Sequence, residues 1–375
     1  MNNTTHNQQS MFTINTTTVF GIDTTKKVIE IIKKEKTSNL LFLIDEAVQS
    51  QHYVNLFQNE LTKNNIQFNK FLISAKSEPT YNYLDNLVSQ VKEKNPDFII
   101  AIGGGSILDL AKGISVLLTN PGNGLDYKGF NNLQKPGIPL MAIPSTAGTG
   151  SEITPNASFI DTETKIKMGI NGQYVEPKYA ILDPNYVMSA PKKVMISAGM
   201  DAIVHAIESF TCKKSNLISK QFSLTALKLL FENILAINED INDPNKFLNI
   251  MLGAYYAAIA MMNAGSGIAA GISYPLGVHF GIPHGICGGI FIAEEVTYNI
   301  DRGYDGYSEI YDFIWKNKPE KNTKEKSLLF LNHLKSIMKQ LDVPENLSVF
   351  GVMADKFDFI CDSMSILQGC FDQNP

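Results

Sequence analysis

The chain has 375 residues, enough for two domains of ordinary size. Hydrophobic residues make up 44% of it and charged residues 18%, which excludes intrinsic disorder and the collagen, coiled-coil and disulfide-rich classes. The 32 basic and 37 acidic residues give a formal net charge of −5, so there is no basic excess for binding nucleic acid.

The first half of the chain alternates strand-like and helix-like stretches. Apolar runs at residues 40–44, 98–102 and 139–143 predict buried strands, and amphipathic patterns at 26–36, 48–64, 81–94 and 106–119 predict helices between them. Such alternation is typical of a parallel sheet covered on both faces. We predict an α/β domain over residues 1–185, with its ligand at the carboxyl ends of the strands.

The second half changes character after residue 184. Helical patterns dominate at residues 194–210, 216–237, 245–263, 324–341 and 355–368, while strand signals nearly vanish. We therefore predict a second, all-α domain over residues 186–375.

The sequence favours a cytoplasmic protein without a membrane partner. The most apolar windows, residues 251–262 and 290–293, are shorter than the roughly 18 residues that a membrane-spanning helix needs. The N-terminal residues lack the basic and apolar regions of a secretory signal. The four cysteines form no CxxC pair, as expected of reduced cytosolic thiols.

A glycine-rich loop follows the second predicted strand. Gly103, Gly104 and Gly105 allow close backbone approach, and the helix after them offers unpaired N–H groups to a phosphate. We expect Ser106 to be the N-cap and Asp109 to lie in the first turn. Taken alone, the loop fits a tight turn without a ligand equally well, since it is not a GxGxxG motif.

A second loop, residues 145–152 (STAGTGSE), follows the third predicted strand. Four of its residues carry hydroxyls: Ser145, Thr146, Thr149 and Ser151. Two such loops after parallel strands predict two walls of one dinucleotide cleft.

Asp45, which ends the first predicted strand, is a candidate acceptor for a ribose 2′-hydroxyl. A carboxylate there would repel a 2′-phosphate, which favours NAD(H) while leaving NADP(H) open. A simple turn residue is the alternative interpretation of Asp45.

A carboxylate and an imidazole share one helix face in the second half. Asp201 and His205 are four residues apart, which places them one turn apart and able to bind one divalent ion. A lone pair of this kind is more often a surface hydrogen bond, but here the flanking residues are apolar. His279 and His284 follow, so three of the six histidines lie in the same predicted domain as Asp201.

Four motifs together resemble the iron-containing (group III) alcohol dehydrogenases, within the dehydroquinate synthase-like superfamily. They are GGGSILDLAK at 103–112, PSTAGTGSE at 144–152, GMDAIVHAIE at 199–208 and PHG at 283–285. The resemblance implies a dinucleotide-binding domain, a helical domain and a divalent metal, Fe²⁺ or Zn²⁺, in the cleft between them. It also implies that the first loop cradles the pyrophosphate, that the second contacts the nicotinamide side, and that Lys167 and Leu182 lie near the cofactor.

The resemblance assigns the metal to Asp201, His205 and His284. The family's remaining histidine ligand is replaced by Ala270, so occupancy of the site is an open question. His279 could replace this ligand only if the helix is broken. It is nine residues further on and would point about 180° away from Ala270 on a continuous helix, but Pro275 and Gly277 are residues that can break one. A contact between His279 and the substrate is the alternative.

Tyr274 stands where many members carry a second histidine used in proton transfer. We predict that Tyr274 or His279 carries the proton. The tyrosine variant resembles branches that act on phosphonoacetaldehyde or on an octulosonate sugar acid.

The leading hypothesis is a metal-assisted, NAD(P)-dependent alcohol dehydrogenase or aldehyde reductase acting on a small alcohol or aldehyde. One alternative is a homologue that has lost its metal and binds nucleotide without catalysis, and a second is a dehydroquinate synthase-like cyclase, whose basic cluster is not evident here. The resemblance also suggests a homodimer, paired through an exposed strand near residues 12–20.

Overall fold

A computed structural model describes residues 9–74, 77–238, 243–315, 320–364 and 367–375. Its first part is a six-stranded, fully parallel sheet in the order β1-β11-β6-β4-β2-β3. The strands are β1 (Thr17–Phe20), β2 (Leu40–Asp45), β3 (Phe68–Ile73), β4 (Phe98–Gly103), β6 (Leu140–Pro144) and β11 (Tyr179–Leu182). The predicted parallel sheet is confirmed.

Helices α1 (Thr25–Glu35), α2 (His52–Lys63), α3 (Tyr81–Lys92) and α4 (Gly105–Leu117) cover the two faces of this sheet. Each forms because apolar side chains recur at helical spacing: in α1, for example, Val28, Ile29 and Ile32 are buried while most of its lysines face solvent. β2 and β4 have almost continuous apolar sequences because both of their faces are covered.

Short strands occupy the segment between β4 and β11. They are β5 (Gly129–Phe130), β7 (Asn156–Ala157), β8 (Ile160–Asp161), β9 (Ile166–Lys167) and β10 (Ile170–Asn171). β8 and β9 pair antiparallel, and β10 joins β5 and β7 in a separate small sheet.

From Lys192 onward the described chain is helical. The helices are α5 (Lys192–Thr211), α6 (Leu217–Asn233), α7 (Pro244–Ala264), α8 (Ile268–Phe280), α9 (His284–Asp301), α10 (Tyr307–Ile314), α11 (Thr323–Gln340), α12 (Phe357–Met364) and α13 (Gln368–Asp372). α5, α6, α7 and α9 share one large apolar core. The helical second part is thus confirmed, whereas the domain boundary near residue 185 stays a prediction.

Helix α7 corrects one sequence expectation. It has 21 residues with a mean hydropathy of 1.3 in its most apolar window, so by length and composition alone it passes as a membrane span. The sequence estimate took only residues 251–262 as the apolar window and was too short. Because 56% of that window is buried inside the protein, against α5 and α6, the packing of α7 is that of a core helix.

The course of helix α8 settles a second sequence expectation, the break at Pro275 and Gly277. It continues through Pro275 and Gly277, so the helix break that these residues left open is absent. Its first backbone N–H groups donate to buried carboxyls, Ala269 N to Glu295 and Ala270 N to Glu208, at 2.9 and 3.0 Å. Acceptors from α9 and α5 therefore cap the start of α8, and tertiary contacts stabilise a helix that its own sequence disfavours.

Candidate active site

Three side chains on two helices, two of them buried and His284 half-buried, form a candidate metal site. Asp201 and His205 lie one turn apart on α5, and His284 is the first residue of α9. One ligand atom of each lies within 4.8 Å of the other two. The Nε2 atoms of His205 and His284 are 3.6 and 3.7 Å from Asp201 Oδ1, too far for good hydrogen bonds. Ligands bonded about 2.1 Å from one ion lie roughly 3–3.6 Å apart, so the spacing suits a shared divalent metal.

The surroundings keep these donors available. Burial lowers the pKa of His284 to about 4, so its imidazole is neutral near pH 7, the form that binds metals. The Nδ1 atoms of His205 and His284 are buried and have no hydrogen-bond partner among the described residues. The Nε2 atoms are the ones that face Asp201, so a shared metal would be held through Nε2. A carboxylate and two imidazoles fit Fe²⁺ or Zn²⁺.

Helix α8 closes the site without supplying a ligand. The ring of Tyr274 stands edge-on to that of His284, with 5.0 Å between the centroids. Ala270 lies one turn earlier, buried, with its N–H donating to Glu208 on α5. Ala270 therefore lies beside α5, the helix that carries Asp201 and His205, and its methyl group offers no donor atom.

His279 lies outside the ligand cluster. It is exposed, and its ring stands edge-on to Phe359 with the centroids 4.8 Å apart. Because α8 is continuous, His279 is turned well away from Ala270, as the helix geometry predicted. His279 therefore does not replace the missing ligand.

The two glycine-rich loops lie side by side. They follow the adjacent parallel strands β4 and β6, whose ends pair at Gly103 and Pro144. A Cβ at Gly105 would come 2.7 Å from Thr149 Oγ1, and one at Gly104 would come 3.5 Å from the side chain of Thr146. Glycine is therefore required at Gly105 for the loops to meet.

The second loop also reaches the metal-site helix. A Cβ at Gly148 would lie 2.4 Å from the backbone oxygen of Ala198, one turn before Asp201 on α5. A Cβ at Gly285, beside His284, would lie 2.9 Å from that of Asp201. Loop, α5 and α9 are thus in contact, which joins the predicted cofactor cleft to the predicted metal site.

Within the first loop, the predicted cap is wrong. Helix α4 begins at Gly105 with Gly104 as its N-cap, and no side chain caps it. Ser106 lies inside the first turn instead, and the prediction for Asp109 is also wrong, because the earlier start of the helix places Asp109 beyond its first turn. Backbone N–H groups at this end are left free for a ligand because no side-chain acceptor takes them.

Asp109 and Ser151 bind each other across the two loops. Ser151 Oγ donates to Asp109 Oδ1 at 2.6 Å, and the other carboxylate oxygen accepts from Ser158 N at 2.9 Å. Lys112 Nζ lies 3.1 Å from the same Oδ1 and also donates to Ser151 O. These contacts fix the shape of the cleft, so the structure gives Asp109 and Ser151 a supporting role, while their contact with the cofactor stays a prediction.

The remaining predicted cofactor residues lie on the same edge of the sheet. Asp45 ends β2, and its Oδ1 accepts from Ala47 N at 2.9 Å, which is the turn role left open above. Ser145 is buried, with its N–H donating to Gly103 O at 2.9 Å. The Leu182 side chain is fully buried at the end of β11.

Sequence reasoning missed two features of the site. Lys167 on β9 is paired with Glu78, 2.8 Å from Nζ to Oε1, although 89 positions separate them. Glu208 and Glu295, which cap α8, are 1% and 6% exposed. Burial raises the pKa of each of these two carboxyls, and the charge of Glu295 adds to the rise for Glu208. Neither pair has a spacing pattern that a sequence could reveal.

Family models match nearly the whole chain. The model described as iron-containing alcohol dehydrogenase matches residues 15–184, and that of the C-terminal part of the same family matches residues 195–375. The chain belongs to the iron-containing alcohol dehydrogenase family. Membership makes it an oxidoreductase of the alcohol dehydrogenase type, as the motifs predicted.

Similar proteins include the NAD-dependent methanol dehydrogenase of Bacillus methanolicus, 29% identical over 304 residues, which are 80% of this chain and 79% of that one. The sulfoacetaldehyde reductase of Bilophila wadsworthia is 27% identical over 359 residues, 95% of this chain and 92% of that protein. A solved alcohol dehydrogenase from Oenococcus oeni superposes with a TM-score of 0.91 at 23% identity, covering 98% of this chain and 96% of that chain. The last likeness supports the fold.

Proposed function

We propose that this family member is a metal-assisted aldehyde reductase or alcohol dehydrogenase that transfers hydride between NAD(H) and a small alcohol or aldehyde. The observation that carries the proposal is the cluster of Asp201, His205 and His284 beside the glycine-rich loops. Both named relatives act on small one- or two-carbon alcohols or aldehydes by their names.

The metal is the first element of this proposal. A divalent ion held by Asp201, His205 and His284 supplies Lewis-acid polarisation of the substrate C–O bond. The chain contributes a dry setting: Asp201 and His205 are 4% and 6% exposed, which strengthens electrostatic effects on a substrate oxygen. Fe²⁺ and Zn²⁺ both suit the donor set.

The cofactor is the second element. Bound NAD(H) supplies the hydride. Free N–H groups at the start of α4 bind its pyrophosphate, and the hydroxyls of Thr146 and Thr149 face the same cleft. Asp45 accepts from the adenosine ribose, which favours NAD(H) over NADP(H) because the carboxylate would repel a 2′-phosphate.

Proton transfer is the third element of the proposal. Of the two predicted carriers, Tyr274 lies against His284, whereas His279 is exposed beside Phe359. We therefore assign Tyr274 the contact with the substrate oxygen. Positioning the substrate between Tyr274 and the cofactor is the chain's own contribution to the rate.

Steady-state kinetics test the proposed function. Purified protein loaded with Fe²⁺ or Zn²⁺ is mixed with NADH and a panel of two- to four-carbon aldehydes, and absorbance at 340 nm is followed; the reverse reaction uses the alcohols with NAD⁺. We expect turnover that a chelator abolishes and added metal restores. No turnover in any metal form, in either direction, contradicts the proposal.

Ala270 favours a second candidate, a homologue that binds nucleotide without catalysis. Losing one donor leaves three ligands, which lowers metal affinity. This candidate predicts tight NADH binding with no metal uptake and no turnover, so the same kinetic experiment separates the two.

We also propose a homodimer. β1 is an edge strand of the sheet, and Phe20 on it is 63% exposed. An edge strand presents unpaired backbone groups that a second copy can pair with. Light scattering coupled to size-exclusion chromatography gives the mass: twice the chain mass agrees, and the single-chain mass at micromolar concentration contradicts the proposal.

A further inference from the structure

Two buried glutamates, Glu208 on α5 and Glu295 on α9, hold the start of helix α8. Glu208 Oε1 accepts from the backbone N–H of Ala270 at 3.0 Å. Glu295 Oε2 accepts from the backbone N–H of Ala269 at 2.9 Å. Two carboxyl groups from different helices thus bind neighbouring N–H groups of one helix end.

Each of these carboxyls has a second oxygen without a donor. Glu208 Oε2 and Glu295 Oε1 are buried and have no hydrogen-bond partner among the described residues. The two groups are close enough to hydrogen bond each other, but two ionised carboxylates cannot do so because neither carries a proton to donate. One proton held between them provides that donor and gives both free oxygens a partner.

The surroundings of the pair favour one negative charge and disfavour two. The N-terminal end of α8, which carries partial positive charge, faces the pair and stabilises one carboxylate. The other titratable groups that face the pair are Cys212 at the end of α5, Cys370 on α13 and Tyr307 on α10. Burial raises the pKa of all three, so they are neutral near pH 7. A second carboxylate would therefore lie beside the first in an apolar core, which is unfavourable.

Helix α8 connects this pair to the candidate active site. A Cβ at Gly267, the N-cap of α8, would lie 3.1 Å from Glu208 Cδ, so the helix start rests directly on that side chain. Tyr274 lies one turn after Ala270 on the same helix, and its ring is 5.0 Å from that of His284 between centroids. Because Pro275 and the glycines of α8 disfavour a helix, its position depends on such tertiary contacts.

We propose that Glu208 and Glu295 share one proton and thereby position α8 so that Tyr274 lies against the metal-site residues. They are positioning residues, because they act through the helix. When the proton is lost to solvent at high pH, the two carboxylates repel each other and the first turn of α8 loosens. The loosening is independent of the proposed function, whereas its effect on turnover rests on that function.

Hydrogen exchange tests the shared proton without turnover. Exchange of the backbone amides of residues 268–276 is followed by mass spectrometry at pH 6 and pH 9 and corrected for the intrinsic rate. In the parent protein we expect protection of these amides to fall about tenfold or more, since each pH unit above the pKa of the shared proton costs a factor of ten.

Glu295→Gln is the informative variant, because its amide donates to Glu208 at every pH. Protection of α8 should then change less than twofold between pH 6 and pH 9. Glu294→Gln, the same change at the exposed neighbouring position, is the matched control and should behave as the parent protein does. Glu208→Gln places the amide on the other partner, should act as Glu295→Gln does, and serves if Glu295→Gln does not fold.

The pH profile of turnover tests the positioning role. We measure kcat for reduction of propanal by NADH with the metal-loaded protein from pH 6 to pH 9. The kcat of Glu295→Gln divided by that of the parent protein should rise about tenfold over this range, as the parent protein loses the shared proton. A pH effect of the proton carrier itself is common to both proteins and cancels in the ratio.

Protection of α8 that does not fall with pH in the parent protein, or falls equally in Glu295→Gln, overturns the shared proton. A kcat ratio that stays constant overturns the positioning of Tyr274. If no protein turns over, the proposed function fails, and the exchange result still decides whether the proton is shared.

Discussion

The three metal-site side chains are positioned by the packing of α5 against α9 rather than by short hydrogen bonds to one another. Asp201 and His205 share α5, and His284 meets them because Gly285 lets α9 approach within contact of Asp201. No fourth donor is found among the described residues near them, since the α8 position carries Ala270. The metal affinity of the site therefore depends on one imidazole that this chain lacks.

Ala270→His supplies that imidazole. We expect the affinity for Zn²⁺, measured by calorimetry with the metal-free protein, to rise roughly tenfold or more, because a fourth ligand completes the set usual for zinc. Ala269→His, one position along the same helix and about 100° away, is the control. Equal affinities in both variants and the parent protein would show that the Ala270 position does not face the metal.

The Glu208–Glu295 pair makes stability depend on pH. Burial raises the pKa of both carboxyls in the folded chain, so the folded state holds protons that the unfolded state releases above about pH 4.3. The free energy of unfolding therefore falls as the pH rises through the folded-state pKa values.

Glu295→Gln should remove part of this dependence. We expect the variant to gain about 1 kcal/mol or more in unfolding free energy at pH 8, and little at pH 5, since an amide carries no charge to bury. Urea unfolding at both pH values measures it. The exposed neighbour Glu294→Gln is the control. Equal stabilities for Glu295→Gln and the parent protein at pH 8 would rule out a buried charge.

At the scale of elements, the sequence predicted the helices and strands that have a regular local pattern of apolar residues. Strands β2, β4 and β6 and helices α1 to α7 appear within a few residues of the expected ranges. β3 was missed because its polar Asn69 and Lys70 interrupt the apolar run.

Helices α8 and α9 were missed for a different reason. Pro275 and Gly277 in α8, and Gly288 and Gly289 in α9, are residues that disfavour helices locally. Burial and the carboxyl caps from other helices override that preference. The Lys167–Glu78 pair was equally invisible, because only the fold brings the two residues together.

Gly150 tests how the second loop is fixed to the helical part. It has φ +64°, and a Cβ there would lie 2.0 Å from that of Ala258 on α7. We expect Gly150→Ala to lower the unfolding free energy by about 3 kcal/mol or more through strain and overpacking together. Thermal unfolding followed by circular dichroism reports it.

Gly303→Ala is the matched control, because that residue also has positive φ, +94°, but nothing lies within 4 Å of an added Cβ. Backbone strain alone should cost it about 1 kcal/mol. If the two variants are equally stable, the loop does not pack on α7 as described.

At the scale of the whole molecule, the two halves of the chain have separate functions. The parallel sheet offers the carboxyl ends of β2, β4 and β6 to a dinucleotide, and the helices offer a carboxylate and two imidazoles to a metal. Gly148 against Ala198 and Lys167 against Tyr274 bring these surfaces together. If the two functions are separate, a substitution that removes the metal should leave the affinity for the cofactor unchanged.

Elemental analysis of the titrated protein tests that claim most directly. The parent protein and His205→Ala are each saturated with Fe²⁺ or Zn²⁺, freed of excess metal and measured for metal content and NADH affinity. We predict one ion per chain in the parent protein, and in His205→Ala a loss of metal with NADH affinity unchanged within a few-fold. A parent protein that holds no ion yet turns over, or a variant that keeps its ion, contradicts the account.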